Sequence, residues 1–252
     1  MDWTDTPDLV NRVFLDKFFV SDYYYLIGVD ILLYLLPLKQ FKDEILKHNI
    51  FGPVIHFIAS IEFQKRGGPH AHMLIRLDED KMGGRLGSEY VDEFICAEIP
   101  DEPDADDQSP AAKEQRTLRE LILKLNIHNC QGELILRGRG RGGFIFGDCL
   151  APKAGCRLPQ TEEDRLNGVE PRCQKGFPKN YSNETVLGSN RYPQYRRREP
   201  GAGQNGTYEK KMAGGISITL TNANVVPYNP YLTKRYRAHV NVEFVGAQGC
   251  LT

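Results

Sequence analysis

Two segments of the chain alternate apolar and polar residues with the period of a β-strand. From Val54 to Gln64 the odd positions are Ile55, Phe57, Ala59, Ile61 and Phe63, and the even ones include His56, Ser60, Glu62 and Gln64. From His70 to Leu77 the odd positions Ala71, Met73, Ile75 and Leu77 are again apolar, and the even ones are His70, His72, Leu74 and Arg76. Successive side chains of a strand point to opposite faces, so each segment predicts one core face and one face rich in ligand-type atoms. The "KRGGP" between them, with Gly67 and Gly68 supplying backbone freedom, predicts an antiparallel hairpin.

Helical spacing takes over elsewhere. Leu9, Val10, Val13, Phe14 and Phe18 follow Thr6 as N-cap and Pro7 in the first turn, and predict a helix. Phe41, Ile45 and Leu46 predict another, closed by "FG" at residues 51 and 52. Leu118, Leu121, Ile122 and Leu125 predict a third ending near His128. Strand-like alternation returns in "GISITLTNANVVPYNPYL" and "RAHVNVEFV". The apolar run from Tyr23 to Leu38 approaches the ~20 residues of a membrane span. Asp30 in its middle and Pro37 near its end count against a span, so the run reads as a buried helix or a segment foreign to the fold. The sum is an α+β protein: a central antiparallel sheet carrying the histidine pair, helices on its apolar face, and an irregular Cys-containing basic lobe.

Composition sharpens this picture in three places. With 252 residues, 40% hydrophobic and 26% charged, the chain is globular rather than fibrous or wholly disordered. The acidic, proline-containing stretch from Glu98 to Asp107 reads as a solvated linker, which divides the chain into a histidine-bearing lobe (1–97), a linker (98–115) and a basic lobe (116–252). The formal charge of -1 hides an asymmetry, because from Arg137 to Arg237 Lys and Arg outnumber Asp and Glu by 18 to 8. A basic half points to a polyanionic partner. "RGRGRGG" within it, Arg137 to Gly143, reads as a flexible solvated loop. Six widely spaced cysteines without a leader-like N-terminal segment suggest a reducing compartment, nuclear or otherwise intracellular. Neither a membrane nor a small-molecule substrate is expected as partner.

The candidate chemistry starts at the hairpin. Folded as predicted, it places His70 and His72 on one side with Glu62 or Gln64 of the neighbouring strand. Two imidazoles and one oxygen donor make an incomplete coordination shell with open positions for water or a phosphate oxygen. A hard divalent ion, Mg²⁺ or Mn²⁺, suits that set. His128, Cys130, Cys156 and Cys173 are a second group, of the number and type that Zn²⁺ takes in a closed tetrahedral shell, with Cys149 as a substitute for Cys156. "RYPQYRRR" interleaves Tyr192 and Tyr195 with Arg191, Arg196, Arg197 and Arg198, aromatic faces for bases among cations for phosphates.

At "HNIFGPVIHFIASIEFQKRGGPHAHMLI" the sequence resembles the Helitron-type rolling-circle transposases, in the segment that holds the histidine, hydrophobe, histidine signature of the HUH endonucleases. "DEFICAEIPD", "NIHNCQGE", "CQKGFPKNYSNET", "RYPQYRRR" and "VVPYNPYLTKRYRAHVNVE" follow in the family's order, so the resemblance covers about three quarters of the chain. It implies nicking of single-stranded DNA, with a divalent cation on the histidine pair polarising the scissile phosphate and a tyrosine attacking it. Carried over, His70 and His72 are the metal ligands, with Glu62 the preferred third ligand and Gln64 the alternative. The family's nucleophilic tyrosines follow the "NVE" block, where this chain reads "NVEFVGAQGCLT", and no counterpart is expected. Tyr236, in a stretch that reads as a loop leading into a strand, is a weak substitute. The helicase region that follows in the family is likewise missing, and "VSDYYYLIGVDILLYLLP" looks like an insertion where the family runs on as helix. The expectation is a Helitron-like replication initiator or transposase fragment that binds single-stranded DNA and a divalent metal. The alternative is a catalytically dead DNA-binding remnant or a partial gene product.

Overall fold

The computed structural model describes residues 26–32, 38–62, 70–128, 173, 175–188, 193–201, 206–211 and 217–245, with 26–32, 38, 62, 70 and 211 described by backbone alone. The helix expected from Leu9 to Phe18, the "RGRGRGG" loop and Phe63 to Pro69 lie outside these residues. The class is α+β. Four antiparallel strands form one sheet in the order β2 (Val54–Glu62), β3 (His70–Leu77), β1 (Leu26–Leu32), β6 (Val240–Val245), and β4 (Thr207–Lys211) pairs with β5 (Ser217–Thr221) in a separate ribbon.

The parity read from the sequence holds on β3. Ala71, Met73, Ile75 and Leu77 are buried, while His72, Leu74 and Arg76 are half-buried on the other face. Val240, Val242 and Phe244 of β6 join the buried side. Over that face pack Phe41 and Ile45 of α1 (Leu38–Leu46), Met82 of α2 (Glu79–Met82), Tyr90 and Val91 of α3 (Ser88–Phe94), and Leu232 of α5 (Pro230–Tyr236). α4 (Pro110–Leu125) instead closes a second cluster, in which Ile122 meets Ile99, Ile127, Leu220, Val225 and Tyr228. Leaving the helices on one face of the large sheet keeps its other face open for polar residues.

Four expectations need correction. The apolar run Tyr23 to Leu38 contains a strand, β1, rather than a buried helix, and β1 pairs on both sides, with β3 and with β6. Its odd positions Ile27, Val29 and Ile31 are apolar and its even positions include Gly28 and Asp30, but Leu26, Leu32 and the apolar residues on either side of the strand extend the run and mask that short alternation. The odd positions of β2 are not uniformly buried: Ile55 and Ile61 are 44% and 45% exposed, because β2 is an edge strand with a bulge between Val54 and His56. "YNPYLTKRY" is helical, not strand or loop. Asn229 caps α5 by accepting from the Leu232 N–H at 2.8 Å, Pro230 sits in the first turn where its missing N–H is harmless, and Arg237 ends the helix in the left-handed region at φ 49°.

Finally, the acidic stretch is anchored rather than wholly solvated. α4 begins at Pro110 behind the N-cap Ser109, and its Arg116 donates to the carbonyls of Asp104 (2.7 Å) and Asp107 (2.6 Å) while Arg119 donates to Pro100 (2.6 Å). Glu98, at the head of the stretch, is buried.

Candidate functional site

The strand register assembles the polar face row by row. His72 stands opposite Ser60 on β2 and opposite Asp30 on β1, and Asp30 in turn stands opposite Asn241 on β6. One row further, His70 stands opposite Glu62 and Leu32. Directly opposed residues of an antiparallel pair lie on the same face with Cβ atoms about 4.5–5.5 Å apart. The expected positions His70, His72 and Glu62 therefore adjoin on one face; Gln64 lies outside the described residues. Of this set only His72 has its side chain described, half-buried, and among the described residues no three His, Cys, Asp or Glu side chains converge as a metal shell. Asp30 is a carboxylate position in the same row that the sequence reading passed over. Its signal was a lone acidic residue inside an apolar run, rare in the middle of a strand.

Just beyond the end of α4, His128 meets Cys173. His128 is 2% exposed, its ring stacks on Phe177 (centroids 4.3 Å apart, planes at 16°), and its Nε2 lies 3.3 Å from Cys173 Sγ. Burial, reinforced by the charges of Lys175 and Lys179, pushes the imidazole down to about 4, so the ring is neutral at physiological pH. Cys130 and Cys156, proposed with them, and Cys149 lie outside the described residues.

The "RYPQYRRR" stretch is placed differently from its solvated appearance. Tyr195 is 6% exposed, and its hydroxyl accepts the Phe244 N–H of β6 at 2.8 Å. Arg197 is 3% exposed and its Nη1 donates to the carbonyls of Ala97 (3.2 Å), Asn222 (2.8 Å) and Val225 (2.6 Å). Arg198 forks onto the Glu98 carboxylate, Nη2 to Oε2 at 2.6 Å and Nε to Oε1 at 2.9 Å. Arg196 pairs with Asp92 at 3.4 Å and with Glu98 at 3.6 Å. Among the described residues of this stretch Tyr195 and Arg197 face inward, while Arg196 and Arg198 keep exposed parts; Arg191 and Tyr192 lie outside the described residues. Glu98 and Asn222, which organise this cluster, gave no sequence signal beyond their residue type.

Tyr236 closes α5 with its ring 5.0 Å from that of Phe41, packed against the apolar core. Burial raises its hydroxyl above the usual range for tyrosine. The neighbouring Tyr231 and Arg235 both engage Glu44 of α1, at 3.0 and 3.2 Å. No tyrosine occurs in β1, β2, β3 or β6.

Sheet, hairpin and histidine pair are those of a protein with a single polar sheet face built around an HxH motif. Residues 1–75 match the family described as the Helitron helicase-like domain at the N-terminus, so this part of the chain is similar to that family. The matched span ends inside β3 and takes in both His70 and His72. No curated protein matches the chain. Among the described residues no helix is long and apolar enough to cross a membrane.

Proposed function

We propose that the polar sheet face is a metal-dependent single-stranded DNA site of the HUH type, belonging to a rolling-circle replication initiator that works in the nucleus. The observation that supports this most is the register, which sets His70 against Glu62 and His72 against Ser60 on the face turned away from the core. Two imidazole positions and a carboxylate position fit Mg²⁺ or Mn²⁺ with coordination sites left over. When bound, the ion would polarise a phosphate oxygen. The chain's own part is to hold the phosphodiester over the sheet, with Arg76 and His56 on the same face, opposite each other, as further donors. Tyr236 packs half-buried against the core, and β1, β2, β3 and β6 hold no tyrosine, so among the described residues no strand of the sheet sets a tyrosine beside the histidine pair, and the proposal extends to DNA and metal binding only.

Calorimetric titration with Mn²⁺ tests the reading. Wild type is expected to bind one ion, and His70→Ala combined with His72→Ala to lose at least about 100-fold in affinity, more than is lost on removing outer-shell partners. Equal affinity in both proteins would overturn it. Binding to a labelled single-stranded oligonucleotide is expected to weaken linearly in log[salt], with a slope near −0.7 for each phosphate neutralised. A salt-independent affinity would rule out the phosphate contacts. A covalent DNA adduct that vanishes in His70→Ala would show that the polypeptide does contain a nucleophile.

A further inference from the structure

We infer that His128 and Cys173 are two ligands of a structural Zn²⁺ that fastens the loop from Cys173 to Lys179 onto the end of α4. The two residues are 45 apart in sequence, and the fold brings Nε2 and Sγ to 3.3 Å. In a tetrahedral zinc shell, with Zn–S about 2.3 Å and Zn–N about 2.0–2.1 Å, the nitrogen and sulfur lie about 3.5 Å apart. The observed separation needs only a few tenths of an ångström to admit the ion.

Both donors are held before any metal arrives. The His128 backbone N–H donates to the Asn224 carbonyl at 2.7 Å, its own carbonyl accepts from Asn224 Nδ2 at 3.4 Å, and the ring lies flat on Phe177. The orientation of the imidazole is thereby set. On the other side, the Gly176 N–H closes a turn on the Cys173 carbonyl at 2.9 Å, and the Lys175 N–H points at Cys173 Sγ at 3.3 Å. Gly176 sits at φ 65°, in the left-handed region that a residue with a side chain enters at a cost. A backbone N–H aimed at sulfur stabilises a thiolate, the form that binds metal.

Among the described residues the segment from Lys175 to Gly188 contains no helix or strand, makes the isolated bridges Ser182 to Arg197 and Val186 to Gln194 and a few hydrogen bonds such as Lys179 N–H to the Ala223 carbonyl, and exposes Tyr181, Val186 and Leu187. A segment with so little core of its own gains its order from a ligand that exists only in the folded state.

Elemental analysis of the full chain, purified without chelator, is expected to find one zinc per chain. Cys173→Ser and His128→Ala are expected to lose it, and Cys173→His, which keeps a ligand at the same place, to retain it. Exchange into Co²⁺ gives a second readout, a near-ultraviolet thiolate-to-cobalt band present in wild type and absent in Cys173→Ser. His70→Ala with His72→Ala should leave the zinc in place, which separates this site from the sheet face. Wild type that neither contains zinc nor takes it up on titration would overturn the inference. So would zinc retained in full by both Cys173→Ser and His128→Ala, which marks the metal as adventitious.

Discussion

Arg197→Ala is expected to destabilise the protein by about 3–5 kcal/mol, the range for removing one partner from a buried charged network. Its guanidinium is 3% exposed and is lowered to about 10 by burial, so it still carries its charge at neutral pH. One nitrogen gathers three main-chain carbonyls from Ala97, Asn222 and Val225, which belong to segments more than a hundred residues apart. Truncation would leave those carbonyls facing a hole. Each orphaned buried acceptor costs about 1–3 kcal/mol, reduced where water can enter. Arg197→Lys should recover little, because a single ammonium on a flexible stem does not reproduce the planar fork. Arg198→Ala is the control: its side chain is 59% exposed, and the Glu98 carboxylate would keep the Arg198 N–H and Arg196. It should cost under about 2 kcal/mol. Urea unfolding of the three variants decides the matter. If Arg197→Ala unfolds at the wild-type midpoint while losing affinity for single-stranded DNA, Arg197 is a DNA contact and not the clamp described here.

Why that stretch misleads as sequence is instructive. Three consecutive arginines next to tyrosines carry a local pattern that fits a solvated DNA-binding loop. The partners that bury Arg197 and pair Arg198, Ala97 and Glu98, lie 100 residues earlier, beyond any window of local periodicity. The hairpin of β2 and β3 was legible for the converse reason, since its partners are neighbours and its parity is clean on β3. β1 was not, because its short alternation of Ile27, Val29 and Ile31 with Gly28 and Asp30 lies inside a longer apolar run that reads equally well as a helix. α5 was hidden because its start was read with the strand-like alternation before it and its end as a loop leading into a strand, whereas "NP" supplies an N-cap and a first-turn proline. His128 and Cys173 were legible as two members of one zinc-type set, and these two the fold brings within 3.3 Å of each other.

Acid is expected to weaken the protein partly through Glu98, and Glu98→Gln to remove that share. Burial alone would raise this carboxyl. Its hydrogen bonds from the Arg198 N–H (2.7 Å), Nε and Nη2, with the charges of Arg198 and Arg196, outweigh burial and hold it below the ordinary 4.5. The folded state therefore binds a proton here less readily than the unfolded chain. Such a group contributes its stabilisation fully above the unfolded pKa and loses it as pH falls through the lower, folded value. The window lies on the acid side of 4.5, not near neutrality. Glu98→Gln keeps the shape of the side chain but replaces charge-assisted bonds, so at neutral pH it should cost about 1.5–3 kcal/mol. The gap between the two proteins should then narrow as both are taken into acid. Asp78, Asp107 and Glu114, whose carboxyls are also lowered, are present in both proteins and cancel in the comparison. Urea midpoints measured at a series of pH values give the test. Two curves that stay parallel from neutrality down through the carboxylate range would mean that Glu98 is not the titrating member of this cluster.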